Sequence, residues 1–428
     1  MTGVPAIRTA LSVEEARGIV LDHVPLMPPE RVGIIESLGR VLAQDVASDM
    51  DISPFDNSAM DGFAVRFEDF KATRPTKDAP LTLAIAGIIG AGEVFDRPLL
   101  MGQALRIMTG APLPKGADTI IKIEDALVCG KSVEHPEGST VAISKMPTLG
   151  EHVRKRGDEA RRGEVLFHVG DKVGAASVGL LASTGNAEVL VYGRPRVAII
   201  STGSELVSVT DIPGPGQIRN SNSYSIAAAV IEAGGIPTIM PSAKDACEVL
   251  ADALKAAIAE HDFVITSGGA SVGDFDFIAP VVRELGELFF NTVSMKPGKA
   301  QIFGVIDGKP VFGLPGNPGA ATVGFEILIR PALRRMQGIA ALNRPIVQAS
   351  LTKDIEKSAG PRRSYLRARL EIDSDKSYRV TPDASQSSAL LGALSRSNCL
   401  MVLPASHGPL SAGDIVDCLR LDVEEGVV

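Results

Sequence analysis

The stretch "YGRPRVAIISTGSEL", residues 192–206, contains a short run of apolar, mostly β-branched residues followed by a polar loop with a glycine. Such a run, bounded by turn residues, predicts a buried strand over 196–201. The segments that follow alternate between helix and strand patterns as far as residue 337. Because the strands are nearly continuous apolar runs, the alternation predicts a parallel sheet covered by helices on both faces. We therefore expect a doubly wound α/β domain over residues 193–340.

The rest of the chain is predicted to form three further domains. Ser12 and Glu15 make a capping box before an amphipathic helix, and residues 146–192 are expected to return and pack on that helix. Elsewhere, short β-branched segments broken by glycine and proline indicate strands. The expected domains are a discontinuous N-terminal α+β domain (residues 1–45 and 146–192), a β-rich insert domain (46–145) and a small C-terminal β domain (341–428).

The composition is that of a globular protein without an affinity for polyanions. The 428 residues carry a net charge of −8 and include no tryptophan. An acidic chain with few aromatic side chains disfavours binding to nucleic acid or to an anionic membrane. The four cysteines form no CxxC pair, and no uncharged apolar run reaches the roughly 18 residues of a membrane span. With no signal-peptide pattern either, we expect reduced thiols and a cytoplasmic location.

Polar and glycine-rich loops follow three of the predicted strands. The carboxyl ends of strands in a doubly wound sheet form its ligand-binding edge, and helix N-termini there favour phosphate. Any one of these loops can be an ordinary turn, but three in one sheet predict a binding site. The candidate residues are Thr202, Gly203 and Glu205 after one strand, Ser267, Gly268, Gly269, Ser271, Asp274 and Asp276 after another, and Pro315, Gly316 and Asn317 after a third.

Islands of basic residues on this acidic chain indicate an anionic small ligand. Lys296 and Lys299 lie in the loop "MKPGKA", and residues 154–162 contain five basic side chains. A solvated helix face is the alternative interpretation of 154–162. Carboxylates beside phosphate-binding lysines suit Mg²⁺ held between protein and phosphate oxygens, with Glu205 and Asp274 as its predicted ligands.

The motifs of several common sites are missing from the sequence. It contains neither GxxxxGK[ST] nor GxGxxG, which disfavours a P-loop ATPase and an NAD enzyme. The six histidines lack the spacing of a zinc site. No histidine is recognisable as the partner of a nucleophilic serine, so a hydrolase triad is not supported.

The segment "PFDNSAMDGFAV", residues 54–65, has the composition of a turn but mixes apolar residues with two aspartates, Asp56 and Asp61. A solvated loop does not need that mixture. We expect Phe55, Met60 and Phe63 to anchor the turn by apolar packing. Asp56 is assigned to the structure of the turn itself.

Seven motifs follow one another along the chain: "PFDNSAMDGFAV", "RIMTGAPLPKGADTII", "STGSEL", "SGGASVGDFD", "MKPGKA", "FGLPGNP" and "SQSSALLGAL". In order and content they resemble the molybdopterin molybdenumtransferase (MoeA) family, which is similar to the E domain of gephyrin. The resemblance covers nearly the whole chain. It implies a four-part subunit with a C-terminal β barrel, an α/β domain like that of the molybdopterin adenylyltransferase, and a homodimer whose cleft is shared between subunits.

The resemblance also implies the reaction, the partners and the roles of individual residues. Adenylated molybdopterin and molybdate would react with a divalent cation, Mg²⁺, to give molybdenum cofactor and AMP. The adenylyltransferase and acceptor molybdoenzymes would be further partners. The implied catalytic residues are Asp61, Glu205, Asp274, Asp276, Lys296 and Lys299, and the implied substrate-binding residues include Thr109, near Asp61, and Ser387 and Ser388 of the barrel.

The sequence departs from the family pattern at a few positions. Asp158 and Glu159 stand in the reverse of the usual order, and Asn220 replaces a common aspartate. Two other functions stay open. One is a scaffold of the gephyrin type, although no fused domain or long linker is visible. The other is adenylyl transfer by the α/β domain itself.

Overall fold

The computed structural model describes residues 10–130, 138–243, 246–269, 277–356 and 360–423. The chain divides into two compact units. One is formed by residues 31–190, and the other by residues 1–30 together with 191–428.

The first helix, α1 (Val13–Asp22), has the predicted capping box. The Ser12 hydroxyl accepts a hydrogen bond from the backbone N–H of Glu15 (3.2 Å), whose carboxylate accepts from the Ser12 N–H (2.9 Å). The helix packs on the α/β core, since its buried face shares one hydrophobic cluster with Phe290 and Leu328. The α/β core was not the predicted partner, because an apolar stripe shows that a helix face is buried but not what covers it. The packing of residues 146–192 on this helix stays a prediction.

The unit of residues 31–190 is built on one six-stranded sheet. Its elements, with one strand that begins just before the unit and one that ends just after it, are β1 (Pro29–Gly33), β2 (Val46–Ala47), β3 (Asn57–Ser58), β4 (Gly62–Val65), α2 (Phe67–Thr73), β5 (Leu81–Ile89), β6 (Gln103–Ile107), β7 (Thr119–Lys122), β8 (Ala126–Cys129), β9 (Thr140–Ile143), β10 (Val153–Arg154), β11 (Val165–Phe167), α3 (Ala175–Ser183) and β12 (Glu188–Tyr192). A 3₁₀ turn, Ile123–Asp125, precedes β8.

The sheet has the order β7-β4-β6-β5-β9-β8, and it confirms the predicted β-rich character of this part. Three two-stranded pairs, β1–β12, β2–β11 and β3–β10, join strands within residues 29–58 to strands within residues 153–192. The domain boundaries given above stay predictions.

The α/β part carries a second six-stranded sheet, of order β16-β13-β17-β21-β20-β18. Its elements are β13 (Arg196–Ser201), β14 (Leu206–Val207), β15 (Ile218–Arg219), α4 (Asn222–Glu232), β16 (Ile236–Ile239), α5 (Cys247–Glu260), β17 (Phe263–Ser267), α6 (Ile278–Leu285), β18 (Glu287–Thr292), β19 (Met295–Lys296), β20 (Ala300–Ile306), β21 (Lys309–Leu314), α7 (Pro318–Gly324), a π-helical turn (Phe325–Ile329) and α8 (Arg330–Met336).

Both faces of this sheet are covered, as predicted. Along β13, Val197 and Ile199 belong to one hydrophobic cluster, while Ala198 and Ile200 belong to another on the opposite face. The strands β16, β13, β17 and β21 are parallel, but β20 pairs antiparallel with both of its neighbours, β21 and β18. The expectation of a wholly parallel sheet is therefore wrong at this edge, because a short apolar run does not reveal the direction of its neighbour.

The C-terminal part is the β barrel that the resemblance implied. It consists of β22 (Ile346–Leu351), β23 (Arg363–Ile372), β24 (Tyr378–Pro382), α9 (Leu391–Arg396), β25 (Cys399–Leu403) and β26 (Ile415–Arg420). The five strands close through the additional pairing of β23 with β25. The short β19, from the preceding α/β segment, pairs in parallel with β23. None of the helices in the described ranges is long and apolar enough to cross a membrane.

Candidate functional site

A cavity of about 690 Å³ lies beyond the carboxyl ends of β13, β17 and β21. This edge is the ligand-binding edge of doubly wound sheets. The cavity brings together nine of the predicted residues: Thr202, Gly203, Glu205, Ser267, Gly268, Gly269, Pro315, Gly316 and Asn317. Three loops that are far apart in sequence thus form one concave surface.

The close approach of two of these loops requires a glycine at position 268. Gly268 has a φ of +93°, and a Cβ atom there would stand 2.2 Å from the carbonyl oxygen of Thr202. Any other residue would have to push the loop after β17 away from the loop after β13. The "SGG" motif is therefore more than an ordinary turn, because it shapes the wall of the cavity.

Other predicted residues lie outside the lining of the cavity. Lys296 and Lys299 are exposed, in β19 and in the turn before β20. The backbone carbonyl of Ser388 accepts a hydrogen bond from Gly319 N–H in the first turn of α7 (2.7 Å), and Ala389 lines the cavity. The segment with Ser387 and Ser388 therefore reaches the rim of the cavity. Ser271, Asp274 and Asp276 lie outside the described residues.

In the unit of residues 31–190, Asp61 and Thr109 are in direct contact. The Oδ1 atom of Asp61 accepts from the backbone N–H of Thr109 (2.7 Å) and from its hydroxyl (2.8 Å). These two bonds, with the nearby charge of Arg106, lower the pKa of the exposed Asp61 carboxyl. The carboxylate is thus ionised at neutral pH and held in one orientation.

The apolar residues around Asp61 behave differently from one another. Phe63 is fully buried, whereas Phe55 and Met60 are 41% and 36% exposed. The prediction that all three anchor the turn is wrong for Phe55 and Met60. The difference in burial follows from the secondary structure, because Phe63 lies in strand β4 whereas Phe55 lies in the loop before β3.

The basic segment 154–162 is held by aspartates of the opposite loop. Asp56 accepts from the Lys155 ammonium (2.9 Å) and from the Arg156 N–H (2.8 Å). Asp51 accepts from the Arg156 guanidinium (2.5 Å) and from the Arg162 N–H (2.8 Å). The alternative interpretation of a solvated helix face is wrong, since this described segment is β10 followed by turns.

The positions that depart from the family pattern have clear local roles. Asp158 accepts from the Lys155 N–H (2.6 Å) and so stabilises the turn, while Glu159 is exposed. Asn220 accepts from the Ser201 hydroxyl and from the Ser223 N–H (3.2 Å each). Its amide therefore ties the end of β13 to the start of α4 without a negative charge.

Sequence reasoning missed one wall of the cavity. The segment Ile218–Asn222 contributes Arg219, Asn220 and Asn222 to the lining. The polar run "RNSN" directly before a helix was the available signal. It follows no strand of the main sheet, so the rule about strand ends could not find it.

The chain matches three family models along its length. These are the MoeA N-terminal region (domain I and II) over residues 11–185, the probable molybdopterin binding domain over 198–335, and the MoeA C-terminal region (domain IV) over 348–421.

Relatives and solved structures agree with these matches. The molybdopterin molybdenumtransferase of Staphylococcus aureus is 34% identical, with 96% of each chain covered, and that of Staphylococcus epidermidis is equally similar. A solved molybdopterin biosynthesis MoeA protein from Pyrococcus horikoshii is 33% identical, covers 96% of this chain and 99% of its own, and has a TM-score of 0.82. The fold and the cavity define a protein of the molybdopterin-binding class. The chain belongs to the molybdopterin molybdenumtransferase (MoeA) family.

Proposed function

We propose that this chain transfers molybdenum from molybdate to adenylated molybdopterin and releases AMP. The observation that carries the proposal is the cavity at the strand ends of the molybdopterin-binding type domain, formed by Thr202, Ser267, Gly268 and Gly316 among others. Its volume of about 690 Å³ suits a ligand with a pterin and a nucleotide moiety. Relatives that cover 96% of the chain are named molybdopterin molybdenumtransferase.

Charge complementarity supports an anionic ligand. Molybdate and the adenylated dithiolene are both anions, so they repel each other until cationic groups offset their charge. Lys296 and Lys299 are exposed and flank a glycine turn. We assign these ammonium groups to the phosphate oxygens, because a charge-assisted hydrogen bond is among the strongest that a side chain makes.

Among the described residues that line the cavity, Glu205 carries the carboxylate that suits a Mg²⁺ ion. It is exposed and lines the cavity, although no cluster of three or more possible ligands occurs among the described residues. A single carboxylate suffices in many Mg²⁺ sites, since substrate phosphates and water supply the other ligands. When bound, Mg²⁺ would neutralise charge on the phosphates. Asp274, the other predicted ligand, stays a prediction.

The remaining steps are assigned to side chains of this chain. Water attacks the phosphoanhydride of the adenylated ligand, so that AMP leaves and the pterin keeps its phosphate. The two dithiolene sulfurs replace two oxo groups of molybdate, which take up protons and leave as water. Asp61 is proposed to act through its negative charge, because a lowered pKa suits a permanent charge better than a proton acceptor near neutral pH. Ser387 and Ser388 are proposed to contact the substrate from the rim.

The test is a single-turnover assay with purified chain, adenylated molybdopterin, molybdate and Mg²⁺. We expect AMP release together with a product that reconstitutes an apo-molybdoenzyme. Omission of molybdate is the matched control for the cofactor product. A parallel assay supplies molybdopterin and ATP instead, and release of pyrophosphate there, without transfer of molybdenum in the first assay, would replace the proposal by adenylyl transfer. Absence of both reactions would leave the scaffold function.

A further inference from the structure

Asn222, the first residue of α4, cross-links two loops of the cavity. Its side-chain amide donates to the Ser267 hydroxyl (2.9 Å) and to the carbonyl oxygen of Gly316 (2.8 Å). Ser267 is the last residue of β17, where the next loop begins, and Gly316 lies in the loop after β21. Because a carbonyl oxygen can only accept, the Nδ2 end of the amide must face Gly316, and the orientation of the group is fixed.

This orientation leaves the Oδ1 atom of Asn222 without a function in the fold. Oδ1 is buried and has no hydrogen-bond partner in the part of the chain that the structure describes. Asn222 also lines the cavity. A buried carbonyl oxygen without a donor is unfavourable, so a ligand that supplies an N–H or O–H group would gain a hydrogen bond there.

The neighbouring Asn220 differs from Asn222 in this respect. The Oδ1 atom of Asn220 accepts from Ser201 and Ser223, and its Nδ2 donates to the Ser223 hydroxyl (3.0 Å). Both ends of that amide are used within the protein. The two asparagines lie in the same segment, and only Asn222 keeps an acceptor for a ligand.

We infer that Asn222 is a ligand-reading residue whose Oδ1 accepts a hydrogen bond from the adenylated substrate. The inference rests on the proposed function, which supplies the ligand. The possible donors are the adenine amino group, the ribose hydroxyls and the pterin amino group. A site built around such a bond rejects an analogue that lacks the donor, because its buried acceptor is then left unpaired.

The experiment combines deletion of the acceptor with deletion of each donor. Calorimetry compares wild type and Asn222→Ala for binding of AMP, purine riboside 5′-monophosphate, 2′-deoxy-AMP and 3′-deoxy-AMP, and of pterin against lumazine, which lacks the amino group. We expect wild type to bind one analogue about tenfold more weakly than its parent, and Asn222→Ala to discriminate less than about twofold. Asn220→Ala is the matched control, which should keep the wild-type ratio whatever its affinity.

Asn222→Asp separates recognition of the ligand by Oδ1 from the two hydrogen bonds that Nδ2 donates within the protein. It keeps an acceptor oxygen but loses both donated bonds, so it should bind more weakly overall and still discriminate. Asn222→Asp also tests the inference if Asn222→Ala does not fold. Three results would overturn the inference: wild type binds all analogues equally, Asn222→Ala discriminates as well as wild type, or Asn222→Asp no longer discriminates. In each case, binding of AMP by wild type would leave the proposed function intact. Failure of wild type to bind either AMP or pterin would contradict the proposed function and the inference with it.

Discussion

At the scale of single residues, Asp61 offers the sharpest test of the site. Both hydrogen bonds from Thr109 go to one carboxylate oxygen, and the amide oxygen of an asparagine could accept both. Asp61→Asn should therefore fold and melt like wild type. Molybdenum transfer should fall by about 10²-fold, because the variant lacks the negative charge. The measurement is the rate of AMP release in the single-turnover assay.

Asp56→Asn is the internal control from the same loop. Asp56 contacts Lys155 and Arg156 and has no assigned role in the reaction. Its variant should keep turnover close to that of wild type. Equal turnover of Asp61→Asn and wild type would show that the charge of Asp61 has no part in the chemistry.

Lys296 and Lys299 are tested by their affinity for nucleotide. Replacing either lysine by alanine should weaken binding of AMP by about 1.5–3 kcal/mol, the range for a hydrogen bond to a charged group. Lys353→Ala, at another exposed lysine, should leave the affinity unchanged. Unchanged affinity in both the Lys296→Ala and the Lys299→Ala variant, measured by calorimetry, would refute the phosphate assignment.

At the scale of elements, the loop that carries Asp61 depends on the glycine that follows it. A Cβ atom on Gly62 would stand 1.9 Å from the carbonyl oxygen of Ile121 on the neighbouring strand. Gly62→Ala should therefore force β4 and β7 apart and destabilise the protein by about 3 kcal/mol. The expected measurement is a lower denaturant midpoint.

Gly18→Ala is the matched control for Gly62→Ala. Gly18 lies in α1, and nothing stands within 4 Å of its added Cβ. This change should stabilise the protein by about 0.5–1 kcal/mol, because glycine in a helix loses more backbone entropy than alanine. A Gly62→Ala midpoint equal to that of wild type would mean that the two strands separate without cost.

The basic segment 154–162 should respond to acid pH through Asp51 and Asp56. The pKa of Asp51 is lowered mainly by the Arg162 N–H and then by Arg156, and the pKa of Asp56 by the Arg156 N–H and then by Lys155. A lowered folded pKa favours the ionised form in the folded state. The stabilisation is therefore complete above the ordinary carboxyl value of 3.8 and is lost as the pH falls below it.

The corresponding variant is the double change Asp51→Asn and Asp56→Asn. Its melting temperature should lie below that of wild type at neutral pH, and the difference should shrink as the pH falls below 3.8 and the wild-type carboxyls become protonated as well. Circular dichroism melts across this range give the comparison. A difference that persists at the lowest pH would assign the effect to packing and not to charge.

At the scale of the whole molecule, we predict a homodimer with a cleft shared between subunits. Asp61 and Glu205 lie in different compact units of the chain. If the cleft combines Asp61 of one subunit with Glu205 of the other, a mixed dimer of Asp61→Asn and Glu205→Ala chains keeps one intact site. Random mixing of the two inactive chains should then restore about one quarter of the wild-type activity.

Two results would contradict the shared cleft. One is sedimentation of a fully active protein as a monomer at micromolar concentration. The other is a mixed preparation that dimerises but recovers no activity, since that outcome places both residues of a working site in one chain. Each homodimeric variant, measured alone, supplies the baseline.

The sequence by itself determined the elements and the position of the main site. The strand over 196–201, the capping box of Ser12 and Glu15, and the loops at Thr202, Ser267 and Gly316 were all readable. The physical reason is that a strand, a helix cap or a turn is set by residues within a few positions of each other. The rule for doubly wound sheets then places such loops at one edge.

Only the tertiary structure decided which elements lie against each other. It joined Asp56 to Lys155 across 99 positions, packed α1 on the α/β core, turned β18 and β20 antiparallel, and brought the segment of Asn222 into the cavity. A buried face is equally apolar whatever covers it, and a polar side chain has the same local pattern whether its partner is water, protein or ligand. These pairings depend on long-range packing, which local sequence patterns do not encode.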